Sequence, residues 1–135
     1  MKTKVSIITL LLVIVLTSFS FFSCSKYFSS YFAIGLVKSA WGNQCSTTFY
    51  KLDGTLVFEI SNKNDGEGCI HFKANLEEGE INVYYATPFF DKQLLFSLNG
   101  EQSTENDGGY VEGPGKVYII IEARGAVKGS ISVHV

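Results

Sequence analysis

Lysine and arginine are nowhere gathered into a cluster. The 11 basic residues are scattered among 13 acidic ones, for a net charge of −2. Nucleic acid is held by grouped cations, so it is excluded as a partner, and the slight acidity is that of an ordinary solvated surface. Imidazoles are scarce, with only His71 and His134. The chain has no CxxC or HExxH spacing for zinc and no GxSxG elbow for a serine nucleophile. The acids Glu77, Glu78 and Glu80 sit together at a turn, where a solvated loop explains them better than paired glycosidase carboxylates. No catalytic set, resident metal or cofactor is expected. Alanine, the best helix former, is also scarce, whereas β-branched and aromatic residues are abundant, which favours strands.

The first residues fall into three zones. Met1-Lys2-Thr3-Lys4 is positive, Val5 to Leu16 is an apolar run broken only by Ser6 and Thr9, and Thr17 to Ser23 leads to Cys24. A charged start, a short apolar core and a small residue before the cut are the marks of a secretory leader. The apolar core is short of the roughly 20 residues that span a bilayer. Counting Phe19, Phe21 and Phe22 lengthens it, and an uncleaved signal anchor is then the alternative.

Phe21-Phe22-Ser23-Cys24 resembles the bacterial lipobox, in which a small residue precedes a cysteine. Ser23 fits the small position; Phe21 and Phe22 depart from the usual leucine and alanine. The resemblance implies that Cys24 receives a diacylglycerol and becomes the first residue of the mature chain. Two or more acyl chains hold a protein stably on a membrane, where one holds weakly. The implied address is the cell envelope, outside the cytoplasm. Because Ser25 is not aspartate, the outer membrane is implied if the source has two. Residues 1–23 are then the leader, 24–30 a lipidated tether and 31–135 the exported domain. Roughly 110 mature residues suffice for a real core. The aromatic Tyr27, Phe28, Tyr31 and Phe32 are either core or residents of the headgroup region.

Cys45 and Cys69 fall in the exported part, where disulfides persist. A bridge would close a loop of about 25 residues and stabilise by roughly 3–4 kcal/mol. The alternatives are unpaired buried thiols, or a ligand role for Cys69 beside His71. Two polar stretches, NDGEG with Asp65 and Glu67 and ENDGG with Glu105 and Asp107, offer carboxylates. Neither has the EF-hand spacing, so both read as turns, with a calcium site of another kind left open.

Downstream of Cys24 the chain reads as short strands separated by turns. Asp53-Gly54 between apolar runs predicts a hairpin. Turns are also expected at 62–68, 76–79, 87–88, 113–115 and 125–129, with a long polar loop at 99–109. Lys116 to Ala123 is apolar on both faces, as a central strand is, while Ser130 to Val135 alternates as a half-exposed strand does. About eight strands at this spacing predict an all-β fold, an antiparallel sandwich or jelly roll. The ending GPGKVYIIIEARGAVKGSISVHV resembles the final hairpin of small extracellular sandwiches such as prepeptidase C-terminal and CUB-like domains. That resemblance implies a non-catalytic accessory or binding module. Trp41, Tyr84, Tyr85, Phe89 and Phe90 are the candidate ligand-contact aromatics, because flat rings stack on sugars. Neighbours such as Tyr84 and Tyr85 cannot share a face in a strand; burial in the sandwich is the competing explanation for all five. The expectation is a membrane-anchored binding module for a protein or glycan. A structural lipoprotein in an envelope complex is the alternative, and a hydrolytic enzyme stands behind both.

Overall fold

The computed structural model describes residues 27–63 and 67–135. The expected leader, Cys24 and Asp65 lie outside them, as does the side chain of Glu67. Among the described residues there are seven strands and no helix: β1 Ser30–Ile34, β2 Val37–Trp41, β3 Gln44–Asn62, β4 Glu67–Thr87, β5 Phe90–Asn99, β6 Gln102–Glu112 and β7 Gly115–His134. It follows that none is a helix able to cross a membrane. All pairings are antiparallel.

The long strands β3, β4 and β7 each serve two layers. One half of the sheet runs β2–β3–β7–β4–β6 and uses Gln44–Leu52, Ala126–His134 and Glu67–Glu78 of the long strands. The other runs β3–β7–β4–β5 and uses Gly54–Asn62, Gly115–Ala123 and Glu80–Thr87, while β1 pairs with Lys51–Thr55 across the junction of the two. We term them the front and back layers. Register shifts at Leu52/Gly54 and Glu78/Glu80 mark the line along which the sheet folds over. At that line Gly79 has φ +91°, and a Cβ there would stand 2.2 Å from the Gly125 carbonyl oxygen. Only glycine permits two backbones to pass so closely. The fold is therefore an open β-sandwich made by doubling one sheet upon itself.

Folding the sheet turns every second residue of both halves inward. Phe49, Ile131, Val133, Phe72 and Leu76 of the front layer meet Leu56, Ile60, Val117, Ile119, Ile121 and Val83 of the back layer in one core. Phe72 stacks on Phe96 across the layers, with ring centroids 4.5 Å apart. Between Val117 and Ile121 β7 is buried on both sides, as expected of a central strand. Its second face is covered by a smaller cluster of Ala86, Tyr118 and Ile120, against which Tyr27, Val57 and Tyr84 pack.

Three turn expectations need correction. Asp53-Gly54 makes no hairpin; it lies inside β3. The glycines at 79 and 125 likewise bend β4 and β7 without ending them. A glycine with positive φ marks a bulge as well as a turn, so the eight short strands become seven, three of them long. The expected loop 99–109 is largely β6, an edge strand that is polar because it borders solvent. The body also begins before residue 31: Tyr27, inside the expected tether, already packs on Tyr118 with centroids 5.6 Å apart.

Candidate ligand-binding face

The outward positions of the front layer line up across its strands. Register pairs Trp41 of β2 with Gln44 of β3, Gln44 with His134 of β7, His134 with His71 of β4, and His71 with Asp107 of β6. Residues directly opposite one another share a face. Trp41, Gln44, His134, His71 and Asp107 thus form one row across the layer, roughly 19 Å long at about 4.8 Å per strand spacing. A second row runs Ser39, Ser46, Ser132, Lys73 and Glu105.

Two of these contacts bring distant parts of the sequence together. The His71 and His134 rings stack with centroids 4.8 Å apart and planes 25° from parallel. His71 Nδ1 hydrogen-bonds the Asp107 carboxylate. Beside them lies a groove of about 530 Å³, lined by His71, Lys73, Glu105, Asn106, Asp107 and His134 among others. Smaller depressions continue over Ser39, Ser46, Ser132 and Trp41. The face is shallow and polar, with hydroxyl, amide, carboxylate, ammonium and imidazole groups all presented outward. Its most exposed large ring is Trp41, 70% exposed at the β2 margin, and Tyr50 of β3 is 49% exposed.

The stacked imidazoles do not make a metal site. Ring nitrogens carry their lone pairs in the ring plane, so two nearly parallel imidazoles do not converge on one metal ion. Among the described residues no group of three or more His, Cys, Asp or Glu side chains is placed to hold one. Glu105 and Asp107, expected on a loop, stand on the outward face of β6. The His71–Asp107 pair has the form of an oriented base. Ser132 Oγ, the nearest hydroxyl in the second row, makes no hydrogen bond to either imidazole among the described residues. The pair is open to solvent, with side chains 42% and 60% exposed.

The other candidate aromatics do not join this face. Tyr84 points to the outer side of the back layer, where Lys92 Nζ lies 4.6 Å over its ring. Its neighbour Tyr85 is in the core. The two do face opposite sides, as extended neighbours must. Phe89 is 93% exposed on the β4–β5 turn. Phe90 packs edge-on against Tyr85 at 5.9 Å. Phe89 and Phe90 line a separate cleft of about 370 Å³ with Tyr110 and Glu112.

The expected Cys45–Cys69 bridge is corrected by the topology: both thiols are free. Strand β7 runs between β3 and β4, so two strand spacings, about 9.5 Å, separate them before any offset along the strands. A disulfide needs Cα atoms within about 7 Å. Cys45 also points into the core, where burial pushes its thiol up to about 12.

No family model matches the chain, and no curated protein is similar to it in sequence. Among solved structures, the pre-peptidase C-terminal domain of a collagenase from Bacillus anthracis is 16% identical, covering 70% of this chain and 90% of that one, with a TM-score of 0.47. PirA is 13% identical, covering 84% and 97%, with a TM-score of 0.37. The first is a small β domain of the kind the chain's ending resembles. Neither likeness carries the site, which rests on the geometry above. What fold and face define is an all-β sandwich with a polar platform on its front layer.

Proposed function

We propose that this protein is a membrane-anchored lipoprotein whose sandwich is a non-catalytic binding module, with the front face as its ligand seat and a glycan as its ligand. The carrying observation is the row from Trp41 to Asp107. It combines one exposed ring for stacking on a sugar face with a run of hydrogen-bonding groups suited to hydroxyls. Lys73 is flanked by Glu105 and Asp107, which disfavours a polyanion. No apolar centre of the sort that anchors protein interfaces lies on the face. The anchor reading rests on the three-zone leader and on Cys24.

A glycan array probed with the purified protein tests the seat. Trp41→Ala and Asp107→Asn are expected to lower binding to any hit by roughly tenfold, the size of one stacked ring or one charge-assisted hydrogen bond. Phe89→Ala is expected to leave it unchanged. Binding lost on Phe89→Ala and kept on Trp41→Ala would move the site to the Phe89–Tyr110 cleft.

The second reading is an assembly role in an envelope complex. It is favoured by β1, an edge strand without charge or proline. Such an edge is open to strand addition by a partner. Cross-linking from a position in β1 that recovers only monomer would rule it out.

A further inference from the structure

We infer that the back layer is itself a membrane-contact face, so that the sandwich lies against lipid with its front face turned away. This rests on the membrane attachment proposed above and adds an orientation to it. Tyr27 is fastened to the outer side of the back layer. Its ring packs on Tyr118, and its hydroxyl accepts a hydrogen bond from the Lys92 amide at 3.1 Å. Only Ser25 and Lys26 separate it from Cys24. Three residue steps span at most about 11 Å, too little for that face to leave the headgroup region. The constraint is the same for an acylated Cys24 and for an uncleaved apolar leader, because both bring lipid to the same place.

The surface at that place presents exposed apolar side chains beside ion pairs. Phe28, next to Tyr27, is 74% exposed, and Leu94, opposite Tyr84 on the outer side, is 57% exposed. Phe32, opposite Asp53 at the fold line, is 66% exposed and points away from the core, since its neighbour Ala33 packs inward. Large apolar side chains standing in water are costly; at a bilayer boundary they are at home. The lysines of that side are already paired, Lys92 with Glu122 at 2.7 Å and Lys116 with Glu59 at 3.1 Å, so the contact does not depend on anionic lipid. The occupant is a lipid surface, and the front row, on the other layer, faces away from it.

The full-length protein, extracted from membranes and reconstituted into neutral phosphatidylcholine vesicles with brominated acyl chains, provides the test. Trp41 is the single native tryptophan and reports the front face. In a Trp41→Phe background, Phe28→Trp and Leu94→Trp each report the back face, and both replace exposed side chains that folding does not need. Flotation with the vesicles is read first and quenching second. The account expects flotation, about a twofold loss of emission for each introduced indole, as for a ring at headgroup depth, and no loss for native Trp41. Flotation with unquenched back-face indoles would overturn the contact face while leaving the anchor standing. Failure to float would overturn the anchor, and the contact face with it.

Discussion

Replacing Gly79 with alanine tests whether the molecule is one sheet folded along a glycine line. Two costs add at this position. The φ of +91° lies where side-chain-bearing residues are strained by about 1–3 kcal/mol. The new Cβ would also stand 2.2 Å from the Gly125 oxygen and 2.7 Å from the Ala126 Cα. Both are main-chain atoms and cannot rotate aside, so overpacking adds roughly 1–3 kcal/mol. About 4 kcal/mol is a large share of the 5–15 kcal/mol that holds a domain together. It corresponds to a melting temperature lower by roughly 15–30 °C. Gly100→Ala is the control. Gly100 also has positive φ, +70°, but no atom lies within 4 Å of the place its Cβ would take, so only about 1–2 kcal/mol of backbone strain applies. Denaturation followed by far-ultraviolet circular dichroism compares the two. A difference under about 1 kcal/mol would refute the close crossing of β4 and β7.

Phe72→Ala removes the front-layer half of the stacked pair with Phe96 and should destabilise by about 3–5 kcal/mol, measured by urea unfolding; a cost under about 1 kcal/mol would mean that the layers are not joined there. Cys45 should resist iodoacetamide at pH 8 in the native state, while the half-buried Cys69 reacts. The raised thiol of Cys45 also makes a pH prediction. Its folded value lies above the unfolded 9.0, so the neutral thiol's contribution is complete below about pH 9 and is lost as pH climbs toward 12. Cys45→Ala should flatten that alkaline decline. Equal labelling of both thiols, or of neither, would contradict the assigned burial.

Much of the fold is legible in the chain because burial writes a period-two pattern. The doubly apolar run Val117 to Ile121 announces the central strand, and the alternation of Ser130 to Val135 announces a half-exposed strand, which the structure joins to it as one β7. The bends were not legible. Asp53-Gly54 has the chemistry of a hairpin, yet a left-handed glycine serves a bulge equally well, and only long-range pairing decides between them. The stretch 99–109 looks like a loop because β6 is buried only at Val111 and so carries no apolar alternation.

The site was partly legible. Trp41 reads as a candidate ligand-contact ring, His134 falls on the polar side of the alternating run Ser130 to Val135, and Asp107 reads as a loop carboxylate. Their assembly was hidden, because His71, Asp107 and His134 lie on three strands whose neighbours in space are far apart in sequence. Parity of alternation could have put each on an outer face; nothing local says which strands adjoin. The same ignorance made a Cys45–Cys69 bridge look reasonable, since β7, the strand that separates them, comes last in the chain.

The tether to lipid is the claim from which the outward binding face and the contact face both take their meaning, and intact mass spectrometry of the membrane-extracted protein tests it most directly. The account predicts a chain beginning at Cys24, carrying the mass of a diacylglycerol, with Cys45 and Cys69 both reduced. A chain beginning at Met1, or one cut elsewhere and bearing no lipid, would contradict it.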